Sequence, residues 1–314
     1  MLRSRSCLLT ASLLLGVSVG IPFNRAAALD APVDGAKATD LSIKLPGLHN
    51  VFRLSERLYT GSVPEGDEGF RSLQKLGVRT VLSVDGEPPD LALAQRYGLR
   101  YVHLPFGYSG CPVPQANRIV KAVRDLPGPV YLHCHHGKHR APAAGALVRR
   151  ALDGITPEEA VREMERAGTG KNYLGLYGGA RSYQPPAAAE LDRLPNDFPA
   201  IAKTPPLVQR MVEIGSWYQK LQAAQSEGWE KGDPKQASHL ALQLREQYRE
   251  AGRTTEVRAR SAHFRTWIRQ AEQDTEDLET ALRRQDFPRA DRAFSRVAAG
   301  CGSCHATFRD LPAK

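Results

Sequence analysis

The apolar positions of the chain change rhythm twice. Between residues 51 and 177, short β-branched runs alternate with helix-like pieces. Residues 79–84, Arg79-Thr80-Val81-Leu82-Ser83-Val84, are compact and β-branched and predict a buried strand. Residues 100–105 and 129–133 predict two more. Helical segments fall between them, at 68–76, 91–97 and 115–126. Another covers 141–152, and a further helix starts at Thr156-Pro157-Glu158-Glu159, which carries a capping signal. Strands alternating with helices imply an α/β layer fold with a mostly parallel sheet.

Residues 178–206 break this rhythm. Gly178-Gly179, Pro185-Pro186, Pro195, Pro199 and Pro205-Pro206 crowd together, the composition of a linker or a loosely packed connection. From residue 207 onward strand signals are absent. Four helices are expected, at 207–226, 234–251, 257–284 and 290–309, with Gly- or Pro-containing breaks between them. Leu240, Leu242, Leu244 and Tyr248 give the second a rough apolar stripe. Four helices joined by short loops predict an antiparallel bundle.

Length fits this division, since 314 residues are comfortable for two domains. The content of 41% hydrophobic and 25% charged residues suits soluble domains. The net charge of +9 favours anions, and the absence of a long Lys/Arg run favours small anionic groups over a nucleic-acid track. Arg3 and Arg5, an apolar stretch at 8–20 and Ala26-Ala27-Ala28 predict an export signal over residues 1–28. That stretch is too short to span a bilayer comfortably, and Cys7 precedes it, so it is not a lipoprotein cleavage site. The expected mature protein is periplasmic or otherwise exported, without a membrane span. A lead-in over 29–44 follows. Export leaves Cys111, Cys134, Cys301 and Cys304 in a compartment where two disulfides are one option. Their surroundings point to other roles.

Cys301-Gly302-Ser303-Cys304-His305 has the spacing for covalent haem attachment. Thiols at i and i+3 share one helix face and reach two vinyl groups, and His305 then presents a nitrogen to the iron. A surface disulfide or half of a zinc site are the bland alternatives, and the neighbouring sequence offers no further zinc ligands. The motif, followed by Phe308-Arg309 on the last predicted helix, resembles the class II cytochromes c, the cytochrome c prime group. The resemblance covers the last hundred or so residues and implies a four-helix bundle over 207–314 carrying haem c. It also implies an iron that is either open to small gases or closed by a methionine of the first helix, here Met211, whose alternative role is core filling. It places the basic Arg309 near His305 and the haem edge.

The run His133-Cys134-His135-His136-Gly137-Lys138-His139-Arg140 follows the third predicted strand and precedes a helix. Backbone N–H groups at such a turn hold a phosphate dianion. The same field favours thiolate at Cys134, and Arg140 offers a planar fork to phosphate oxygens. Gly137 permits a turn that a side chain would obstruct. His135, His136, Lys138 and His139 add positive character to the phosphate-binding loop. The bland alternative is a basic turn with a buried cysteine.

This Cys-x5-Arg loop resembles the signature of the dual-specificity and tyrosine phosphatase superfamily. So does the lead-in Leu58-Tyr59-Thr60-Gly61-Ser62-Val63-Pro64 and Leu76-Gly77-Val78-Arg79-Thr80-Val81-Leu82, so that residues 45–180 read as a phosphatase-like domain and 181–206 as its linker. The resemblance implies Cys134 as nucleophile, Arg140 as transition-state partner, His133 as a group that helps set the thiolate, and a phosphorylated protein or small molecule as substrate. The sequence departs from the family twice. Ala141 stands where a Ser or Thr hydroxyl is usual, and Phe106-Gly107-Tyr108-Ser109-Gly110-Cys111-Pro112 carries no carboxylate, with Ser109 at the place of the general acid. Losing a general acid costs about 10²–10⁴ in rate. Asp85, Glu87, Asp90 and His139 are the substitutes to consider. A Cys111–Cys134 disulfide would cap the nucleophile, the alternative being a buried free Cys111.

Two functions follow from the sequence: a haem-containing phosphatase, or a haem electron-transfer or gas-binding protein with a silent phosphate-binding domain. The remaining expected partners are a redox protein and a second copy of the chain, with no nucleic acid.

Overall fold

The structure, a computed structural model, describes residues 42–231 and 233–310. The expected signal segment 1–28 and most of the lead-in lie outside the described residues. Everything described belongs to one compact unit spanning residues 40–314.

Three strands open the fold: β1 (Ile43–Leu45), β2 (Leu48–Arg53) and β3 (Leu58–Gly61), joined as an antiparallel meander. Helix α1 (Gly66–Lys75), β4 (Thr80–Ser83), α2 (Leu91–Arg96), β5 (Arg100–His103), α3 (Val113–Asp125) and β6 (Val130–His133) follow in alternation. Then come α4 (Arg140–Leu152), α5 (Pro157–Arg166), α6 (Leu174–Ser182) and α7 (Ala188–Arg193). The sheet order is β1-β2-β3-β6-β4-β5, with β3, β6, β4 and β5 mutually parallel. The sheet is therefore mixed, and the expectation of a mostly parallel sheet holds only from β3 onward. Strands of three to six residues are too short for a meander to announce itself by alternation.

The three runs read as buried strands are buried on both faces. Leu82, Val102 and Leu132 face α3, α4, α5 and α6, whereas Val81, Tyr101 and Tyr131 face α1 and α2. Two covered faces explain why these strands are continuously apolar. Thr156 accepts from Glu159 N–H while Glu159 returns a bond to Thr156 N–H, so the capping box fixes the start of α5.

The stretch 181–206 is not loosely packed. Tyr183 and Leu191 are buried in the core shared with α3 and α4, and the Tyr183 hydroxyl donates to Asn117 Oδ1 at 2.9 Å. His103 N–H donates to Pro199 O at 2.8 Å, and Ala202 N–H donates to His103 Nδ1 at 3.1 Å. Tyr183 and Leu191 are scattered single anchors, which a Pro-rich composition does not reveal.

The rest of the described chain is helical: α8 (Pro206–Glu227), α9 (Pro234–Arg253), α10 (Thr255–Ala259), α11 (Ala262–Arg283) and α12 (Phe287–Phe308). The expected helix 257–284 is interrupted, because Ser261 caps α11 through Phe264 N–H at 3.2 Å and ends α10 at Ala259. Ile214, Leu221, Leu244, Leu278, Leu282, Phe294 and Val297 share one core from four helices. Trp229 Nε1 and Gln225 Nε2 both donate to Asp291 Oδ1 at 2.8 Å, tying α8 and the turn after it to α12. Among the described residues no helix is long and apolar enough to cross a membrane.

Candidate active site

Strand β6 lies between β3 and β4, and its C-terminal end leads into the loop 134–139 and the first turn of α4. The loop is built by turning its carbonyls outward. His135 O accepts from Val63 N–H at 3.1 Å, Gly137 O from Asn50 Nδ2 at 2.9 Å, and Lys138 O from the Thr169 hydroxyl at 2.7 Å. A peptide plane whose carbonyl points outward aims the following N–H inward, so the amides of His136, Lys138 and His139 face the loop interior. Asn50 adopts φ +53° and also binds Ala167 O at 2.8 Å, which anchors the support. Gly137 has φ +68°, and a Cβ there would lie 2.4 Å from the Gly61 carbonyl carbon. No L side chain fits.

Cys134 is buried and its thiol is free. Arg140 is buried at the N-terminus of α4. Its Nη2 donates to Asp85 Oδ2 at 2.8 Å, and its Nε has no partner. The Asp85 carboxylate also accepts His135 N–H at 2.5 Å on Oδ2, and Gly86 and Glu87 N–H on Oδ1. Burial alone would raise this carboxyl, but Arg140 and the N–H donors outweigh it, and it lies below the ordinary carboxylate range. Burial opposes the Arg140 cation in turn, yet Asp85 more than compensates and the guanidinium stays charged. Asp85 is thus a clamp on the arginine and not a proton donor.

The other candidate acids have other partners. Asp90 caps α2 through Leu93 N–H at 2.9 Å, and Glu87 lies 3.5 Å from His135 Nδ1. Contact with Glu87 raises the His135 imidazole, and Gln219 Nε2 of α8 meets its Nε2 at 3.2 Å. His139 packs at 4.4 Å between ring centroids on Tyr173. Burial first, then His136, Arg140 and Arg309, push it down to about 4, toward the neutral imidazole. Burial lowers His136. His133 is likewise pushed down to about 4, by burial above all, and its Nε2 meets the Tyr101 hydroxyl at 2.5 Å. The loop expected to carry the acid packs on α6: a Cβ on Gly175 would lie 2.4 Å from the Ser109 carbonyl carbon. Ala141 is fully buried.

Cys111 and Cys134 stand as separate thiols, so of the two alternatives that the sequence leaves open the structure has the free Cys111. The Cys111 sulfur lies toward Pro112 O at 3.8 Å, and burial pushes its thiol up.

At the other end of the chain, Cys301 and Cys304 of α12 pack against the helical core, and His305 follows them, half-buried. Cys301 Sγ lies 3.3 Å from the Tyr248 hydroxyl. Cys304, Phe308 and Met211 pack on the same small cluster of Leu207, Val257, Phe264 and Ile268. Both thiols are free. Burial pushes His305 down to about 4, the neutral form that ligates iron. Two free thiols and an imidazole within little more than one turn of α12 are donors of the kind that would hold a porphyrin and its iron. Among the described residues no group of three or more His, Cys, Asp or Glu side chains converges to hold a bare metal ion. Arg309, expected near His305, is close enough to add to the effect of burial on that imidazole, and it also reaches the other half of the molecule, with its Cζ 4.2 Å from the Tyr108 ring centroid.

No family model matches the chain. It is 30% identical over 137 residues to the dual specificity protein phosphatase TpbA of Pseudomonas aeruginosa strain UCBPP-PA14, covering 43% of this chain and 59% of that protein's length. Against TpbA of strain PAO1 it is 29% identical over 167 residues, covering 52% of this chain and 72% of the relative. The crystal structure of P. aeruginosa TpbA superposes on 43% of this chain and 86% of its own, with 25% identity and a TM-score of 0.39. The core catalytic domain of the PP-IP phosphatase SIW14 from S. cerevisiae matches 48% of this chain and 93% of its own, with 19% identity and a TM-score of 0.42. The N-terminal part of the chain resembles dual-specificity and tyrosine phosphatases.

Proposed function

We propose that the α/β half hydrolyses phosphate monoesters through Cys134 and Arg140, and that the helical half carries a covalent c-type haem. The observation that carries the first statement is the loop 134–140 itself. Three outward-turned carbonyls leave inward amides beside a buried thiol, and Arg140 keeps a buried Nε without a partner. This is an anion cradle at a helix N-terminus.

The Cys134 thiolate attacks phosphorus, an S–P bond forms, and the ester P–O bond breaks. Amides of the loop and the Arg140 fork take up charge on the equatorial oxygens. The leaving oxygen is protonated by water, because the loop 106–112 has no carboxylate. Water then cleaves the phosphocysteine, releasing orthophosphate and regenerating the thiolate. Ala141 supplies no hydroxyl to this second step. The site thus works best on esters of acidic alcohols such as phenols. A phosphorylated protein or small molecule is the substrate class, in keeping with the name of the TpbA relatives.

In the helical half, Cys301 and Cys304 would hold the porphyrin as thioethers, and His305 and, as a further candidate, Met211 of α8 would ligate its iron. The bound group would supply electron transfer or gas binding. Covalent attachment accords with the basic and apolar start of the chain, and so with an exported protein that meets a redox partner there.

Turnover of p-nitrophenyl phosphate by the full chain, abolished by Cys134→Ser, is the expected result. Its good leaving group needs no acid. Absence of turnover in protein that binds haem would favour the second reading, a haem protein with a silent phosphate site, which the acid-free loop 106–112 supports. For the haem, the expected result is pigment that stays with the chain in acidic acetone and is lost in Cys301→Ser/Cys304→Ser.

A further inference from the structure

The phosphate loop is walled partly by the helical half. Gln219 of α8 reaches His135, and a Cβ on Gly86 would lie 2.6 Å from Val208 Cγ1. The third contact is the most informative. Tyr108, on the loop after β5, is approached by two guanidiniums: Arg140 with Cζ 4.5 Å from the ring centroid and Arg309 with Cζ 4.2 Å. The ring bounds the separation of the two cations to the sum of these distances, the scale of one small molecule.

The two arginines are held alike. A buried carboxylate grips each from behind, Asp85 for Arg140 at 2.8 Å and Asp310 for Arg309 at 2.6 Å. Asp310 takes only Nε, and the terminal nitrogens of Arg309 donate to no acceptor among the described residues. The Arg309 side chain is about one-third exposed, at 33%, whereas that of Arg140 is at 10%. One cation is therefore set inside the loop and one at its mouth. The charge around His139 has one sign: after burial, His136, Arg140, Arg309 and Lys138 all oppose its protonation. The neighbouring carboxylates are engaged, Asp85 with Arg140, Asp310 with Arg309 and Glu87 with His135.

We propose that Arg309 is a specificity-determining residue of the phosphate site, selecting phosphate esters that carry a second anionic group beside the ester. The scissile phosphate occupies the loop and Arg140, and the second anion, a carboxylate or another phosphate, meets the free edge of Arg309. A planar fork with two unused donors suits such a group. The inference rests on the phosphate-site reading and deepens it to a substrate class.

The test compares phenyl phosphate with 3-carboxyphenyl phosphate on the full chain. The expected result is a higher kcat/KM for the carboxylated ester, carried by KM. Arg309→Leu should shrink that preference at least about tenfold, the size of a lost charge-assisted hydrogen bond, and Arg309→Lys should keep part of it. Equal preference in the unaltered chain, or a preference that survives Arg309→Leu, overturns the proposal. A purely structural Arg309 would lower both esters in proportion, and so also refutes it. Calorimetric binding of both esters to Cys134→Ser reads the same ratio without turnover. If neither ester binds, the phosphate site itself is wrong; if both bind equally, only the role of Arg309 falls.

Discussion

Replacing Asp85 by Asn removes one charge from a buried pair and keeps the shape of the side chain. In the unaltered protein its carboxylate accepts four donors: Gly86, Glu87 and His135 N–H and the Arg140 guanidinium. An Asn can keep its oxygen on Gly86 and Glu87, but its NH2 then faces two donors. Arg140 is left charged and buried without its anion, and removing one partner of a buried pair costs about 3–5 kcal/mol. Against a total stability of about 5–15 kcal/mol, that is readily measured by urea unfolding. The effect depends on pH in a fixed direction. Asp85 is held below its ordinary value of 3.8, so its contribution is complete above that value and is lost as pH falls through the lower, folded one. The gap between Asp85→Asn and the unaltered chain is therefore widest near neutrality and closes in acid below 3.8. Because Asp85 takes only Nη2, it orients Arg140 without consuming its fork, and Asp85→Asn should also weaken phosphate binding by about tenfold or more. Equal stability at pH 7, a gap unchanged in acid, or tighter phosphate binding would each refute the clamp.

Gly137→Ala should lose phosphate binding and p-nitrophenyl phosphate turnover together, since φ +68° costs an L residue about 1–2 kcal/mol and the new methyl collides with the β3 backbone; undiminished turnover would show that the loop can shift. Leu244→Ala, at a fully buried position in the helical core, should cost about 2–5 kcal/mol in denaturant unfolding of the helical half, and a cost below 1 kcal/mol would mean that this core is loosely packed.

The central strands were legible because burial on both faces makes them continuous apolar runs, as Val81-Leu82 shows. The β1–β3 meander was not, because strands this short carry no alternation. The break between α10 and α11 was signalled by Ser261, a capping residue inside an otherwise helical pattern, and outweighed by the periodicity around it. The Cys134–Arg140 frame could be read because it is local. Its supports could not: Asn50 binds Gly137 O from 87 residues away, Asp85 reaches Arg140 across 55, and Thr169 reaches Lys138 across 31. Arg309 carried a local signal that pointed to His305, which it does neighbour; its second contact, with Tyr108, is made by tertiary packing and has no local signal.

The bond from His103 to Pro199 has a consequence for how the chain avoids its own copies. Strand β5 is the last in the sheet order, and its outward N–H and C=O groups are a template on which a foreign strand could add. The segment around Pro199 and Ala202 blocks the His103 end of that edge, taking the His103 N–H on Pro199 O and donating to the His103 ring. Proline has no N–H with which to extend the ladder outward. A chain shortened to residue 180 would bare this edge and be prone to stack edge to edge, whereas one ending after residue 204 would keep its guard in place.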